Sequence, residues 1–79
     1  MATIRFFAAA AEAAAIEGAA IDAATIGELR GQLSARYGAE FERILARCSL
    51  LVNGTRATDD VVPLSAGDTV DVLPPFAGG

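Results

Sequence analysis

The stretch "TIGELRGQLSARYG", residues 25–38, constrains the fold more than any other part of this chain. Ile26, Leu29, Leu33 and Tyr37 recur at helical spacing and line one face. Thr25 and Glu28 have the form of a capping box. The threonine oxygen takes one orphan amide, and the glutamate returns to the cap's own amide. Gly38 stops the helix where a left-handed backbone is needed. The whole chain has 79 residues, room for one domain. At that size about 60–65% of the unfolded chain's surface is buried, so the core is small. One amphipathic helix covers one face of a sheet and leaves the other to solvent or a partner.

The flanking segments supply that sheet. "ATIRFFA" (2–8) reads as a strand, with Ile4 and Phe6 on one side and Thr3, Arg5 and Phe7 on the other. The alanine-rich 9–18 segment predicts a short helix or turn ending near Gly18, because alanine is the best helix former. "AAIDA" (19–23) is a weak second strand that pairs back on the first. "EFERILARC" (40–48) predicts a further short helix with Phe41, Ile44 and Leu45 inward. "SLLVNGTRA" (49–57) is a strand running into Asn53-Gly54, a strong hairpin signal. Residues 59–68 contain two turns. Pro63 suits an edge or turn, and Gly67-Asp68 a tight turn before a strand. "TVDVL" (69–73) is the last strand. A hairpin, a crossover helix and later strands make an α+β roll of the ubiquitin-like β-grasp kind. That reading divides the chain into a β-grasp domain over 1–73 and a tail over 74–79.

Composition removes most chemistry. Histidine is absent, and with it the commonest general base and metal ligand. With one cysteine, Cys48, neither a zinc site nor an internal disulfide is expected. The usual catalytic triads are excluded. The net charge is −4 and all six basic residues are arginine, so no basic stripe for nucleic acid is present. Lysine is missing, which reads first as genomic composition bias. It also means that no side-chain amine of this chain could be acylated by its own terminus. No apolar run is long enough for a membrane span, and the opening "MATIRFFAAA" has no secretory leader, so a cytoplasmic protein is expected. Asp59 and Asp60 fall in a turn, where aspartate bonds local backbone. Cys48 beside an apolar strand reads as a small buried hydrophobe.

The terminus is the remaining candidate. A carboxylate is a poor electrophile until its oxygen becomes a leaving group. A carrier that uses its own end must deliver it, thin and extended, into another protein's active site. Gly78 and Gly79 lack Cβ and allow close backbone approach. Pro74 and Pro75 hold the exit extended and end the sheet. Phe76 offers an apolar anchor, with Ala77 between it and the glycines.

"FFA", "TIGELRGQL", "LLVNG" and "PLSAGDTVDVLPPFAGG" together resemble the MoaD/ThiS sulfur-carrier family over nearly the whole chain. The tail is most similar to that of the small subunits of molybdopterin synthases. The resemblance implies a carrier that binds no metal or cofactor and performs no catalysis alone. A partner adenylating enzyme would use ATP to place AMP on the Gly79 carboxylate, and a sulfur donor protein would convert it to a thiocarboxylate. The tail of Pro74, Pro75, Phe76, Ala77, Gly78 and Gly79 would then enter the large subunit of molybdopterin synthase and give sulfur to a pterin precursor. Members of the family often carry an arginine where Ala11 stands, so that side chain's partner contact is not carried over. From strand alternation, Phe7 and Leu73 fall on the open face and are expected to mark the partner surface. Two other readings stand beside this one. One is a sulfur carrier for thiamine thiazole or cysteine biosynthesis. The other is a ubiquitin-like modifier or interaction module.

Overall fold

The computed structural model describes residues 1–75; Phe76, Ala77, Gly78 and Gly79 lie outside the described residues. In chain order the elements are β1 (Ala2–Phe6), α1 (Ala8–Ala14), β2 (Gly18–Ile21), α2 (Ile26–Tyr37), α3 (Ala39–Leu45), β3 (Ser49–Val52), β4 (Thr55–Ala57) and β5 (Thr69–Leu73). The five strands form one mixed sheet in the order β2-β1-β5-β3-β4. β5, the last to be made, lies in the middle. It is parallel to β1 and antiparallel to β3. The α+β roll expected from the sequence is the fold.

Alternation decides which face is covered. Ile4 and Phe6 of β1, Val70 and Val72 of β5, and Leu50 of β3 are buried against the helices. Ile26, Leu29 and Leu33 of α2 meet them with no exposed surface. Phe41 and Leu45 of α3 complete the layer. Phe6 stands edge-on to Tyr37 and Phe41, with ring centroids 5.5 Å away in each case. A fully buried side chain of this size contributes about 1.5–3 kcal/mol, and edge-to-face aromatic pairs add about 0.5–1.5 kcal/mol each.

Several boundaries differ from the sequence reading. The first strand ends at Phe6, and Phe7 becomes the extended N-cap of α1. Ala8 then takes φ 50°, and Ala15 closes the same helix at φ 60°. These left-handed turns at both ends fold the alanine run back onto the sheet. Half of the capping box forms: Glu28 N–H donates to Thr25 Oγ1 at 3.2 Å. Two other orphan amides of α2 are met by the connection between β4 and β5. Ile26 N–H donates to the Val62 carbonyl at 3.0 Å, and Gly27 N–H to that of Asp60 at 2.9 Å. Pro63 sits in an antiparallel bridge with Thr25. Gly38 has φ 91° and ψ −177°, an extended positive-φ conformation open almost only to glycine, rather than the left-handed helical one.

The start of β5 is held by a polar network. Asn53 (φ 51°) and Gly54 (φ 85°) turn the β3–β4 hairpin, both positive as a two-residue primed turn requires. The Asn53 amide nitrogen donates to Asp68 Oδ1 at 3.0 Å, and its oxygen accepts from Thr69 N–H at 3.0 Å. Asp68 Oδ2 also accepts from Ser65 N–H at 2.8 Å. The Ser65 bond first, and then that of Asn53, hold the Asp68 carboxyl below the usual aspartate value.

Candidate functional site

The tail leaves the sheet at the end of β5, between two neighbours. On one side Ser49 of β3 is the register partner of Leu73. On the other, Phe7 N–H donates to the Val72 carbonyl at 3.2 Å. The end of β5 is therefore held on both sides, through Val72 and Leu73, and Pro74 and Pro75 follow with no ladder amide to give. Pro74 is half-buried and Pro75 exposed. The sequence-predicted residues Phe76, Ala77, Gly78 and Gly79 lie outside the described residues.

Phe7 and Leu73 belong to the uncovered face, as alternation requires. Both are half-buried rather than exposed. The Arg5 guanidinium lies 5.6 Å from the centroid of the Phe7 ring, close enough for a cation–π contact. Leu51, also half-buried, stands opposite Asp71 in the β3–β5 register. Phe7, Leu73 and Leu51 thus frame the base of the tail as a small apolar surface. Among the described residues, the large apolar side chains with the greatest exposure are elsewhere: Met1, Ile16 and Val61.

At the centre of the same face is an ion pair that the sequence reading did not single out. Arg5 Nε donates to Asp71 Oδ1 at 2.7 Å and its Nη2 to Oδ2 at 3.0 Å. The hydrogen bond to Asp71, and then its charge, raise the arginine's already high pKa. The signal was present in the parity of the strands. Arg5 shares a face with Phe7, and Asp71 with Leu73, but only the parallel β1–β5 register sets them opposite each other.

Cys48 immediately precedes Ser49, the register partner of Leu73, but its chemistry is that of a core residue. Its side chain is buried, and Sγ donates to the Ile44 carbonyl at 3.2 Å. Burial pushes the thiol pKa up, with the charge of Arg30 acting the other way. A protonated, enclosed thiol is a poor nucleophile. Asp59 and Asp60 have structural partners: Asp59 Oδ1 accepts from Val61 N–H at 3.3 Å, and Asp60 pairs with Arg30 at 3.3 Å. Ala11 packs against the core. Among the described residues no cluster of three or more metal-ligating side chains occurs, and no helix is long and apolar enough to cross a membrane.

A model of the ThiS family matches residues 4–79. The chain belongs to the ThiS family. Its MoaD/ThiS members are ubiquitin-like sulfur carriers, and the β-grasp fold agrees with them. No curated protein matches. The crystal structure of SAMP1 from Haloferax volcanii superposes with a TM-score of 0.82 at 26% identity, over 99% of this chain and 98% of that one. Subunit 1 and subunit 2 of molybdopterin-converting factor from Helicobacter pylori have been solved as a complex. The matching chain in it gives a TM-score of 0.76 at 28% identity, covering 99% of this chain and 97% of that one. The BexX/CysO complex of Amycolatopsis orientalis contains a chain with a TM-score of 0.82 at 18% identity, each chain covered in full (100%), a likeness of fold.

Proposed function

We propose that this ThiS-family chain is the sulfur-carrying small subunit of a molybdopterin synthase. The observation that carries the sulfur-carrier reading is the family match over residues 4–79. The likeness to the Helicobacter pylori converting-factor complex supports the pathway.

In this reading residues 1–73 are the domain and 74–79 the delivery segment. A partner adenylating enzyme docks on the open sheet face around Phe7 and Leu73. The Gly79 carboxylate attacks the α-phosphorus of ATP, pyrophosphate leaves, and an acyl-adenylate forms. Hydrosulfide supplied by a sulfur donor protein then attacks the acyl carbon, the bond to the AMP oxygen breaks, and loss of AMP and a proton leaves a thiocarboxylate. Pro74, Pro75, Phe76, Ala77 and Gly78 carry that group into the large synthase subunit, where its sulfur passes to a pterin precursor. The chain contributes the reactive atom and its presentation, and needs no cofactor of its own. A cytoplasmic location is part of this reading.

Intact-mass measurement on protein from its native host tests the carrier step. A population in which one oxygen is replaced by sulfur, mapped to Gly79, is expected. Its absence at every sulfur supply would sink the reading. Deleting Gly79 should abolish loading, whereas Leu73→Asp or Phe7→Asp should weaken binding to the adenylating enzyme while the circular dichroism spectrum stays native.

The likeness to SAMP1 supports a second reading, a modifier whose terminus is joined to amines of other proteins. Copurification with a synthase large subunit favours the first reading. Gly79 found in isopeptide linkage to lysines of other proteins favours the second.

A further inference from the structure

The register lines up one row of residues across the open face. Gly18 of β2 stands opposite Arg5 of β1, and Arg5 opposite Asp71 of β5. Asp71 stands opposite Leu51 of β3, and Leu51 opposite Arg56 of β4. Leu50 and Ala57, the next pair along β3 and β4, are both buried. Alternation therefore puts Leu51 and Arg56 on the uncovered side. The charged strand residues on that side are Arg5, Asp71 and Arg56, two cations and one anion in a chain whose net charge is −4.

The two arginines differ in one respect. Arg5 brings its own counter-ion, since its guanidinium holds both oxygens of Asp71 at 2.7 and 3.0 Å. Arg56 is exposed and has no ion-pair partner among the described residues. Water solvates it in the free domain. A protein that settles around Phe7 and Leu73 changes that. Two strand spacings and two residues of rise put Arg56 about 12 Å from Leu73 along the sheet. A stable interface covers about 800 Å² of each protein, a patch about 16 Å in radius, and so takes in the Arg56 position. A cation taken out of water with no anion opposes binding strongly. The planar guanidinium fork matches a carboxylate best.

We propose, on the reading that an adenylating enzyme docks around Phe7 and Leu73, that Arg56 selects that enzyme. The enzyme surface that covers the open face carries a carboxylate, which Arg56 grips as Arg5 grips Asp71. Phe7, Leu73 and Leu51 supply apolar contact, and Arg56 supplies the choice of partner. A surface with a neutral or basic side chain at that point is rejected, because either leaves Arg56 covered and unpaired. Arg5 is already paired and gives no such preference.

Calorimetric titration of the full chain with the adenylating enzyme of its own host tests this. Arg56→Gln should weaken binding about thirtyfold and Arg56→Glu about a hundredfold, as expected when one charge of a covered pair is left alone. Arg56→Lys should keep part of the affinity, since it holds the charge and loses the fork. Circular dichroism should stay native in all three, because Arg56 is exposed on an edge strand. In a pyrophosphate-release assay the variants should raise KM for the carrier and leave kcat unchanged, as a contact that only holds the domain does. Reversing the enzyme's surface carboxylates one at a time should yield a variant that binds the Arg56→Glu chain better than the parent chain. Phe7→Asp separates this proposal from the docking reading beneath it. If the parent chain does not bind, or if Phe7→Asp and Arg56→Glu both bind like the parent, the docking reading falls and the proposal with it. If Phe7→Asp loses binding while Arg56→Gln and Arg56→Glu bind like the parent, docking stands and the proposal alone is overturned. A loss confined to kcat, or the failure of every carboxylate reversal to rescue Arg56→Glu, overturns it as well.

Discussion

Arg5 and Asp71 are 66 positions apart in the chain and directly opposite each other in the parallel register of β1 and β5, where the guanidinium grips both carboxylate oxygens. The pair lies on the uncovered face, with Arg5 more than half exposed. Water and salt reach it, so its contribution is screened. Asp71→Asn should lower the urea midpoint at low ionic strength, and the gap from the parent protein should narrow as salt is added. A gap that salt leaves unchanged would mean that the side chains act through packing instead.

Asp68 gives acid sensitivity a location. Its pKa is depressed in the folded state by the Ser65 and Asn53 bonds. The stability it contributes is therefore complete above the unfolded-state value of about 4, and is lost as the pH falls through the lower folded value. In proton-monitored NMR titrations Asp68 should titrate below the ordinary aspartate value of about 4. Asp68→Asn should flatten the acid limb of the stability profile. An Asp68 midpoint at or above that ordinary value would contradict the network.

Gly38 joins α2 to α3 at φ 91° and ψ −177°. An added Cβ would meet no atom within 4 Å, so the obstacle is the backbone conformation alone. Gly38→Ala should cost about 1–3 kcal/mol, read as a lower denaturation midpoint. Gly31, inside α2 and equally open, is the control. Gly31→Ala should stabilise by about 0.5–1 kcal/mol.

Cys48 should be slow to react. Its thiol is enclosed, bonded to the Ile44 carbonyl and raised in pKa chiefly by burial. Iodoacetamide at neutral pH should label it on the timescale of unfolding, with faster labelling in urea. Cys48→Ala should leave thiocarboxylate formation at Gly79 unchanged. Rapid labelling of the native protein would show the thiol to be open.

Local signals were legible where a few neighbouring residues decide the outcome. Thr25, the Ile26–Leu29–Leu33 spacing and Gly38 specified α2, and Asn53-Gly54 specified the β3–β4 turn. The alternation of Ile4 with Phe6, and of Val70 with Val72, gave the buried face of the central strands. What escaped was set by distant pairing. Phe7 reads as strand until β5 is in place, whereupon α1 begins and the side chain becomes a cap. Only one half of the Thr25–Glu28 box forms, and the 59–62 loop supplies carbonyls to the Ile26 and Gly27 amides, which no local window reveals. The Arg5–Asp71 pair and the Asn53–Asp68 network join residues that no local window contains.

The position of β5 has a mechanical consequence. The strand that carries the tail is flanked by β1 and β3 along its length, with the Asn53–Asp68 network tied across its far end. A tension applied at the tail runs along the strand axis and loads both hydrogen-bond ladders in shear, many bonds sharing the force at once. Unzipping a strand from an edge would break them one at a time. A partner that draws the C-terminus into a tight channel therefore pulls on the best-braced strand of the molecule, and the domain follows its tail as a rigid body.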